Sequence, residues 1–538
     1  MRMAAEKRIR KTGWLSRWPL WVSLALFLIL LGFALAGQVS SGQVMLPEED
    51  AYQRLALARN LAGRFAWEII PGQFTSAFGT LLWPVLLAPV FLLLGASALW
   101  AWILNAVLSV VLIVLAYRAV RGAVADPAAQ AVLLAVLVVA LPLVPLAASG
   151  MEQVLFLVLL LVFLELWSRR MQSAARAGLV PMAIVAALLA STRYEGMLLV
   201  AVAALFLLLK RDFAAGLIAP CAAALPLAAY GLISWRVGWL PVPASVYLRR
   251  AELVPSDLSA LPSVVFRSLD VLGVNPDLRA VVLLLTLLPA WLGFTNKLSS
   301  VREREFFGPA LAVLAILADL TLVGNRGYRY DAWLVMLGFW AVLPLLGKIL
   351  PADLRELKKN SVTLLAGAGL AVLLGFPLVN RGVQGAILFG QSAERAKWIQ
   401  RLAADWAADC AAGPLATDSP GTIVFLAGRS DVVDLSGFVS LGAFRERRGG
   451  NLSAEWMRAE AERSGARAAV IFQAGDQMLA ERIWPMAGGW IQSECAQCDS
   501  AEIFRLQEDS ELSRCTESFL SNLPSDKTIR KPERGGSE

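Results

Sequence analysis

Apolar residues in this chain come in long unbroken runs instead of stripes. The first, residues 18–36, follows the basic lead MRMAAEKRIRKTGWLSR and is close to the roughly 20 residues needed to cross a bilayer core. It reads as a signal anchor with a cytoplasmic N-terminus, since no clear small-residue cleavage site follows it. Further apolar runs lie near 75–95, 98–117, 128–147, 154–168, 179–192, 197–209, 214–235, 279–296, 306–323, 332–349 and 361–379. Basic clusters alternate with them: Arg118 with Arg121, Arg169 with Arg170 and Arg176, Lys210 with Arg211, Lys297 with Arg302 and Arg304, and Lys348 with Arg355, Lys358 and Lys359. Placed on the cytoplasmic side, these clusters require eleven spans and exclude 75–95 from the crossing set. That segment carries Pro84 and Pro89 and is expected to lie along or dip into the outer leaflet, within a long first external loop. A twelfth span is the alternative.

Beyond about residue 390 charges, Gly and Ser rise. Short apolar runs such as Gly421–Leu426 and Ala468–Phe472 alternate there with helical-looking stretches such as Ala393–Ala408. The expected architecture is an α-helical polytopic membrane domain at 1–389, a soluble extracytoplasmic α/β domain at 390–515, and a polar, disordered tail at 516–538. Cys221 falls in an apolar span, where a buried free thiol is the default. Cys410, Cys495, Cys498 and Cys515 fall in the outer domain and point to two disulfides, with three connectivities open; a zinc site is the rival.

Composition agrees with a membrane chain: 57% hydrophobic and 17% charged, with a mean hydropathy of +0.61. The net charge of +7 over 538 residues is too diffuse to imply nucleic acid as a partner. The count of 0 His removes imidazole as ligand, nucleophile partner or acid–base group. Proton chemistry therefore falls to carboxylates, Tyr, Lys or Cys.

Charges at the outer ends of spans are costly unless they face water or one another, so they mark candidate sites. The first external loop begins LPEEDAYQRLALARNLAGRF, with Glu48, Glu49 and Asp50 in succession. Asp50–Leu61 reads as a short amphipathic helix capped by Asp50, bearing Arg54 and Arg59 as its basic residues. Three consecutive acids exceed what a cap requires. Parity brings three more turns to the same face: Ser149-Gly-Met-Glu152, Thr192-Arg193-Tyr-Glu195, and Gly324-Asn-Arg326-Gly-Tyr328-Arg329-Tyr330-Asp331. Guanidinium groups opposite a carboxylate suit a substrate that carries both a hydroxyl and a phosphate. Each Arg taken alone also fits an interfacial snorkelling side chain or a partner for a nearby Glu.

These residues carry a resemblance. Glu49-Asp50-Ala51-Tyr52 with Ala58-Arg59-Asn60-Leu61-Ala62, then Phe74-Thr75-Ser76 and Leu82-Trp83, resemble the first external loop of bacterial polytopic glycosyltransferases of the C-type (GT-C) fold. Arabinofuranosyl- and mannosyltransferase-like members that use polyprenyl-phosphate sugars are the nearest in kind. Ser149–Glu152, Arg193–Gly196, Leu240–Tyr247, Tyr328–Tyr330, Asp418–Ile423 and Val433–Phe438 follow further blocks in order. The resemblance implies a catalytic carboxylate in the first external loop, falling on Glu49 and Asp50, with Asp50 chosen as base for its spacing to Arg59. Glu49 departs from the commoner double Asp, and Gln53 stands where an apolar residue is usual.

The implied reaction is inverting transfer of a sugar from a polyprenyl-phosphate donor to a glycan or lipid hydroxyl at the outer face of a bacterial plasma membrane. The leaving phosphate would be held by Arg193, Arg326 or Arg329, with Arg59, Glu152, Glu195, Tyr247 and Tyr328 as further site candidates. A divalent ion at Glu49 and Asp50 is the one cofactor considered. A transporter or flippase of lipid-linked sugars and a non-catalytic scaffold are the rival classes. Trp456, Trp484 and Trp490 are read either as sugar-stacking groups or as core of the outer domain.

Overall fold

In hydrocarbon a backbone must satisfy its own polar groups, and the long apolar runs do so as helices. The computed structural model describes residues 17–40, 43–172, 178–250, 270, 272–273, 275–294, 303–322, 327–349, 361–492, 500–523 and 527–530. Arg326, Cys495 and Cys498 lie outside the described residues. Among those described, three helices are long and apolar enough to cross a membrane: Trp18–Gln38, Ala98–Ala123 and Phe213–Arg236. They turn large apolar side chains outward, among them Phe33, Leu225 and Trp235. Cys221 is exposed on the last of them, not buried as its setting implied.

Other expected spans are also helical: Gln153–Gln172, Leu179–Thr192, Glu195–Leu209, Pro276–Phe294, Glu303–Leu322 and Ala332–Ile349. The expected run at 128–147 is broken at Pro142 into Pro127–Ala140 and Leu143–Ala148. Aromatic rings lock the bundle: Trp167 meets Phe206 and Trp340, both with centroids 6.2 Å away, and Phe156 meets Trp333 edge-on at 6.2 Å. Within 75–95 the only helix is Leu82–Leu94, whose 13 residues rise about 20 Å, a length close to that of Leu179–Thr192 and Glu195–Leu209.

The boundary expected at residue 390 falls inside one helix. Ser361–Arg395 continues through a π-helical turn at Ala396–Gln400 into Arg401–Asp409, so the chain passes from bundle to α/β unit without a linker. After the short antiparallel pair β1 (Val39–Ser40) and β2 (Gln43–Val44) near the start of the chain, the α/β unit holds a six-stranded sheet: β3 (Leu415–Thr417), β4 (Val432–Asp434), β5 (Ala468–Ile471), β6 (Met486–Gln492), β7 (Ser500–Arg505) and β8 (Lys527–Arg530), ordered β4-β3-β5-β7-β6-β8. β3 runs parallel to β4 and β5, while β7, β6 and β8 add antiparallel.

Two expectations change here. Gly421–Leu426 lies in a helix, Pro420–Leu426, because Pro420 favours a helix start and the first turn finds an acceptor outside its own segment. Residues 516–521 and 527–530, expected within a polar tail, lie in a helix and a strand. Helix Ser510–Ser521 buries Leu512, Thr516 and Leu520, and β8 pairs with β6. Trp484 and Trp490 are core residues and Trp456 packs against the core, so they are not exposed stacking platforms.

Cys410 and Cys515 form a disulfide across 105 residues of sequence. Chain-entropy arguments give a loop of this size about 4–5 kcal/mol of stabilisation. Replacing both residues by Ser is expected to lower the guanidinium midpoint of the α/β unit accordingly. An unchanged midpoint would show that the bond contributes nothing.

Candidate active site

The segment that follows helix Trp18–Gln38 is tied to the bundle where it begins. Gln38 Nε2 donates to the carbonyls of Met45 and Ala148, each at 3.0 Å, and the Tyr52 hydroxyl accepts from Leu46 N at 2.8 Å. The helix that follows runs Glu49–Arg64 with Glu48, not Asp50, at its N-cap position and no side-chain cap bond. Asp50 therefore sits in the acidic first turn with its carboxylate available for other contacts. Opposite, Trp83 Nε1 donates to Gly150 O at 3.1 Å and Asn105 Nδ2 to Met151 O at 2.8 Å, fixing the turn that carries Glu152. Gly150 has φ of +73°, and a Cβ there would stand 2.6 Å from Leu46, so the turn needs glycine twice over.

These elements and the α/β unit enclose a cavity of about 270 Å³. Asp50, Arg54, Glu152, Arg193 and Tyr330 line it from the bundle side, and Asp418, Ser436 and Gln473 from the α/β unit. The triplet Glu48-Glu49-Asp50 divides its labour. Glu48 Oε1 pairs with Arg329 Nη1 at 3.0 Å. Glu49 accepts from Gly421 N at 2.7 Å, from Thr422 N at 2.9 Å and from the Thr422 hydroxyl, so it lies at the N-terminus of helix Pro420–Leu426 in the other domain. Asp50 is the most exposed of the cavity's ion-paired carboxylates at 37%; its Oδ2 lies 3.9 Å from Arg54 Nη1 and accepts from the Tyr330 hydroxyl at 3.5 Å.

Two buried ion pairs surround it. Arg54 Nε stands 2.8 Å from Glu152 Oε2 with its guanidinium over the Phe78 ring, and Arg193 forks onto Glu195 with its shorter bond at 2.8 Å. Arg193 and Arg329 both pack on Tyr330, at 5.2 and 5.4 Å from its ring centroid. Tyr330 thus joins the Asp50 carboxylate to two guanidiniums from distant segments. Glu195 serves as the partner of Arg193.

Other candidates sit elsewhere. Arg59 donates to Val424 O at 2.9 Å and packs on Phe425, holding the α/β unit and lining no part of the cavity. The reason is helical geometry: nine residues at about 100° each put it on the face opposite Asp50, while Arg54, one turn on, shares that face. Tyr247 turns to Arg448, which donates to its hydroxyl at 3.2 Å, while its neighbours Ser245 and Val246 line the cavity. Tyr328 gives its carbonyl to Arg381 at 2.6 Å and lies outside the lining. Both oxygens of Glu49 accept from Gly421 and Thr422, so Glu49 is turned to the α/β unit. Among the described residues no group of three or more Cys, Asp or Glu could hold a metal ion.

Sequence reasoning passed over Arg54, Tyr330 and Gln473 as site residues. The i,i+4 spacing from Asp50 was a usable signal for Arg54. Gln473 reaches the site only through the β5 turn, where its N–H, at 2.7 Å, and that of Phe472 donate to the buried Asp418 carboxylate.

Burial raises Glu49 to about 7, opposed by the hydrogen bonds from Thr422 and Gly421, and likewise raises Asp418 to about 7. An acid whose folded value lies above its unfolded one binds the proton more tightly when native. Its contribution is complete below the unfolded value, ordinarily 4.5 for Glu and 3.8 for Asp, and is lost as pH rises through about 7. The docked α/β unit is therefore expected to lose stability from about pH 4 to about pH 8. Glu49→Gln should flatten that slope in chemical denaturation; an equal slope in the variant contradicts the assignment.

No protein-family model and no curated protein sequence matches the chain. Solved structures do. The crystal structure of ArnT from Cupriavidus metallidurans bound to undecaprenyl phosphate is similar with a TM-score of 0.53 and 14% identity, over 93% of this chain and 99% of that one. The apo structure of the same protein gives 0.51 and 14%, over 90% and 97%. The likeness is one of fold, and it extends over nearly the whole of both chains.

Proposed function

We propose that this protein is a membrane glycosyltransferase that moves a sugar from a polyprenyl-phosphate donor to an acceptor hydroxyl, with Asp50 as general base. The observation that carries the reading is the placement of the Asp50 carboxylate in a cavity between bundle and α/β unit, joined through Tyr330 to Arg193 and Arg329. The fold shared with a protein crystallised with undecaprenyl phosphate supports a lipid phosphate as the ligand class.

In this reading Asp50 takes the proton from the acceptor hydroxyl as that oxygen attacks the anomeric carbon. The bond to the phosphate oxygen breaks with inversion, and the leaving polyprenyl phosphate carries the displaced electron pair. The fork between Arg193 and Glu195 leaves other guanidinium N–H donors for that charge. Arg329 reaches it by exchanging Glu48 for phosphate, and Arg326 completes the set assigned to this role. Ser436 and Gln473 would meet the acceptor from the α/β side. The chain would cross the plasma membrane eleven times, with Leu82–Leu94 at the outer interface and the α/β unit outside the cytoplasm.

Protein in sealed proteoliposomes, given a panel of radiolabelled polyprenyl-phosphate sugars and acceptors, is expected to yield a new glycosylated product. A flippase would move label across the bilayer with no new covalent product, and that outcome would overturn the reading.

A further inference from the structure

A second cavity, of about 430 Å³, lies at the other end of the bundle. On helix Ala98–Ala123, Asn105 reaches Met151 beside the Asp50 cavity, and Arg118 stands thirteen residues further on, about 20 Å along the axis. Val114, Tyr117, Arg118, Arg121 and Gly122 follow one another at i, i+3, i+4, i+7 and i+8, which is one helix face. Arg17, at the start of helix Trp18–Gln38, closes the cavity from the side.

Three guanidiniums face this space and no carboxylate lines it. None of the three forms an ion pair with a described Asp or Glu. Tyr117, also in the lining, is 4% exposed, and its hydroxyl has no hydrogen-bond partner. Arg17, Arg118 and Arg121 are exposed, so water screens much of their mutual repulsion, and an anion entering the concavity relieves the rest. Trp18 and Trp21 stand exposed beside Arg17, where an aromatic belt would mark the head-group level of a bilayer. An anion at this depth is most readily supplied by the membrane itself, and basic pockets between helices at that level suit phosphate head groups.

We propose that this cavity binds the phosphate of an anionic lipid head group in the leaflet opposite the Asp50 cavity, with Arg17, Arg118 and Arg121 as its donors. The guanidinium fork matches two phosphate oxygens, and the exposed helix faces beside it receive acyl chains. A Cβ on Gly122 would meet nothing within 4 Å, so the cavity can be narrowed there without touching a charge. The assignment holds whether or not Asp50 is a catalytic base.

The test is native mass spectrometry and thermal unfolding of the full chain with phosphatidylglycerol, polyprenyl phosphate, phosphatidylcholine or inorganic phosphate added. Either anionic lipid is expected to be retained and to raise the unfolding temperature, and the one effective at lower concentration identifies the head group. The double variant Arg118→Gln/Arg121→Gln should bind at least about tenfold more weakly, and Gly122→Leu should weaken binding at unchanged charge. Equal retention in the double variant overturns the site. Equal protection by zwitterionic phosphatidylcholine, or by inorganic phosphate, overturns an anionic lipid head group as its ligand.

Discussion

Replacing Asp50 by Asn is expected to lower sugar transfer about 10²- to 10⁴-fold while the protein still inserts and folds. Amide and carboxylate have the same shape, but Asn cannot take the acceptor's proton. The structural cost is small because the Asp50 carboxylate is 37% exposed and its contact with Arg54 is 3.9 Å long, a kind of ion pair worth about 0–1 kcal/mol. Single-turnover transfer and an unfolding curve on the same preparation check both halves. Full activity in the variant would remove Asp50 from the chemistry. Lost activity with lost folding would assign it a structural role instead.

The second large effect is expected at Gly421. A Cβ there would stand 2.6 Å from the backbone nitrogen of Gln53 and 2.8 Å from its Cα, so no side-chain rearrangement can make room. Gly421→Val must push helix Pro420–Leu426 off the first-loop helix and break the bonds from Gly421 and Thr422 to Glu49. Overpacking alone costs about 1–3 kcal/mol, and each charge-assisted bond adds about 1.5–3 kcal/mol. The α/β unit should undock, with faster hydrogen exchange in both helices and loss of transfer. Gly442→Ala is the control, since a Cβ there meets nothing within 4 Å. The control should be neutral or stabilising by about 0.5 kcal/mol. Wild-type exchange rates in Gly421→Val would show that this close approach does not hold the domains together.

Much of this was readable from the chain because hydrophobic runs and basic clusters obey local rules. The helical bundle, the short helix Leu82–Leu94 and the α/β character past residue 400 follow from periodicity and composition. The division of Glu48, Glu49 and Asp50 does not, because each is settled by a residue hundreds of positions away: Arg329, Gly421 with Thr422, and Tyr330. Pro420–Leu426 was obscured for the same reason, as the acceptor for its first turn is a side chain of the other domain. Arg59 is a different case. Its helical phase already opposed Asp50, and matching it by sequence spacing overrode that geometry.

On the proposed function, the Asp50 cavity receives a lipid phosphate beside Arg193 and Arg329. A structure of the protein with polyprenyl phosphate bound measures it most directly. Phosphate oxygens are expected within hydrogen-bond reach of at least one of those guanidiniums, on the side of the cavity that Asp50 and Tyr330 line. Phosphate bound elsewhere, with the cavity still closed by the pairs Arg54–Glu152 and Arg193–Glu195, would contradict it.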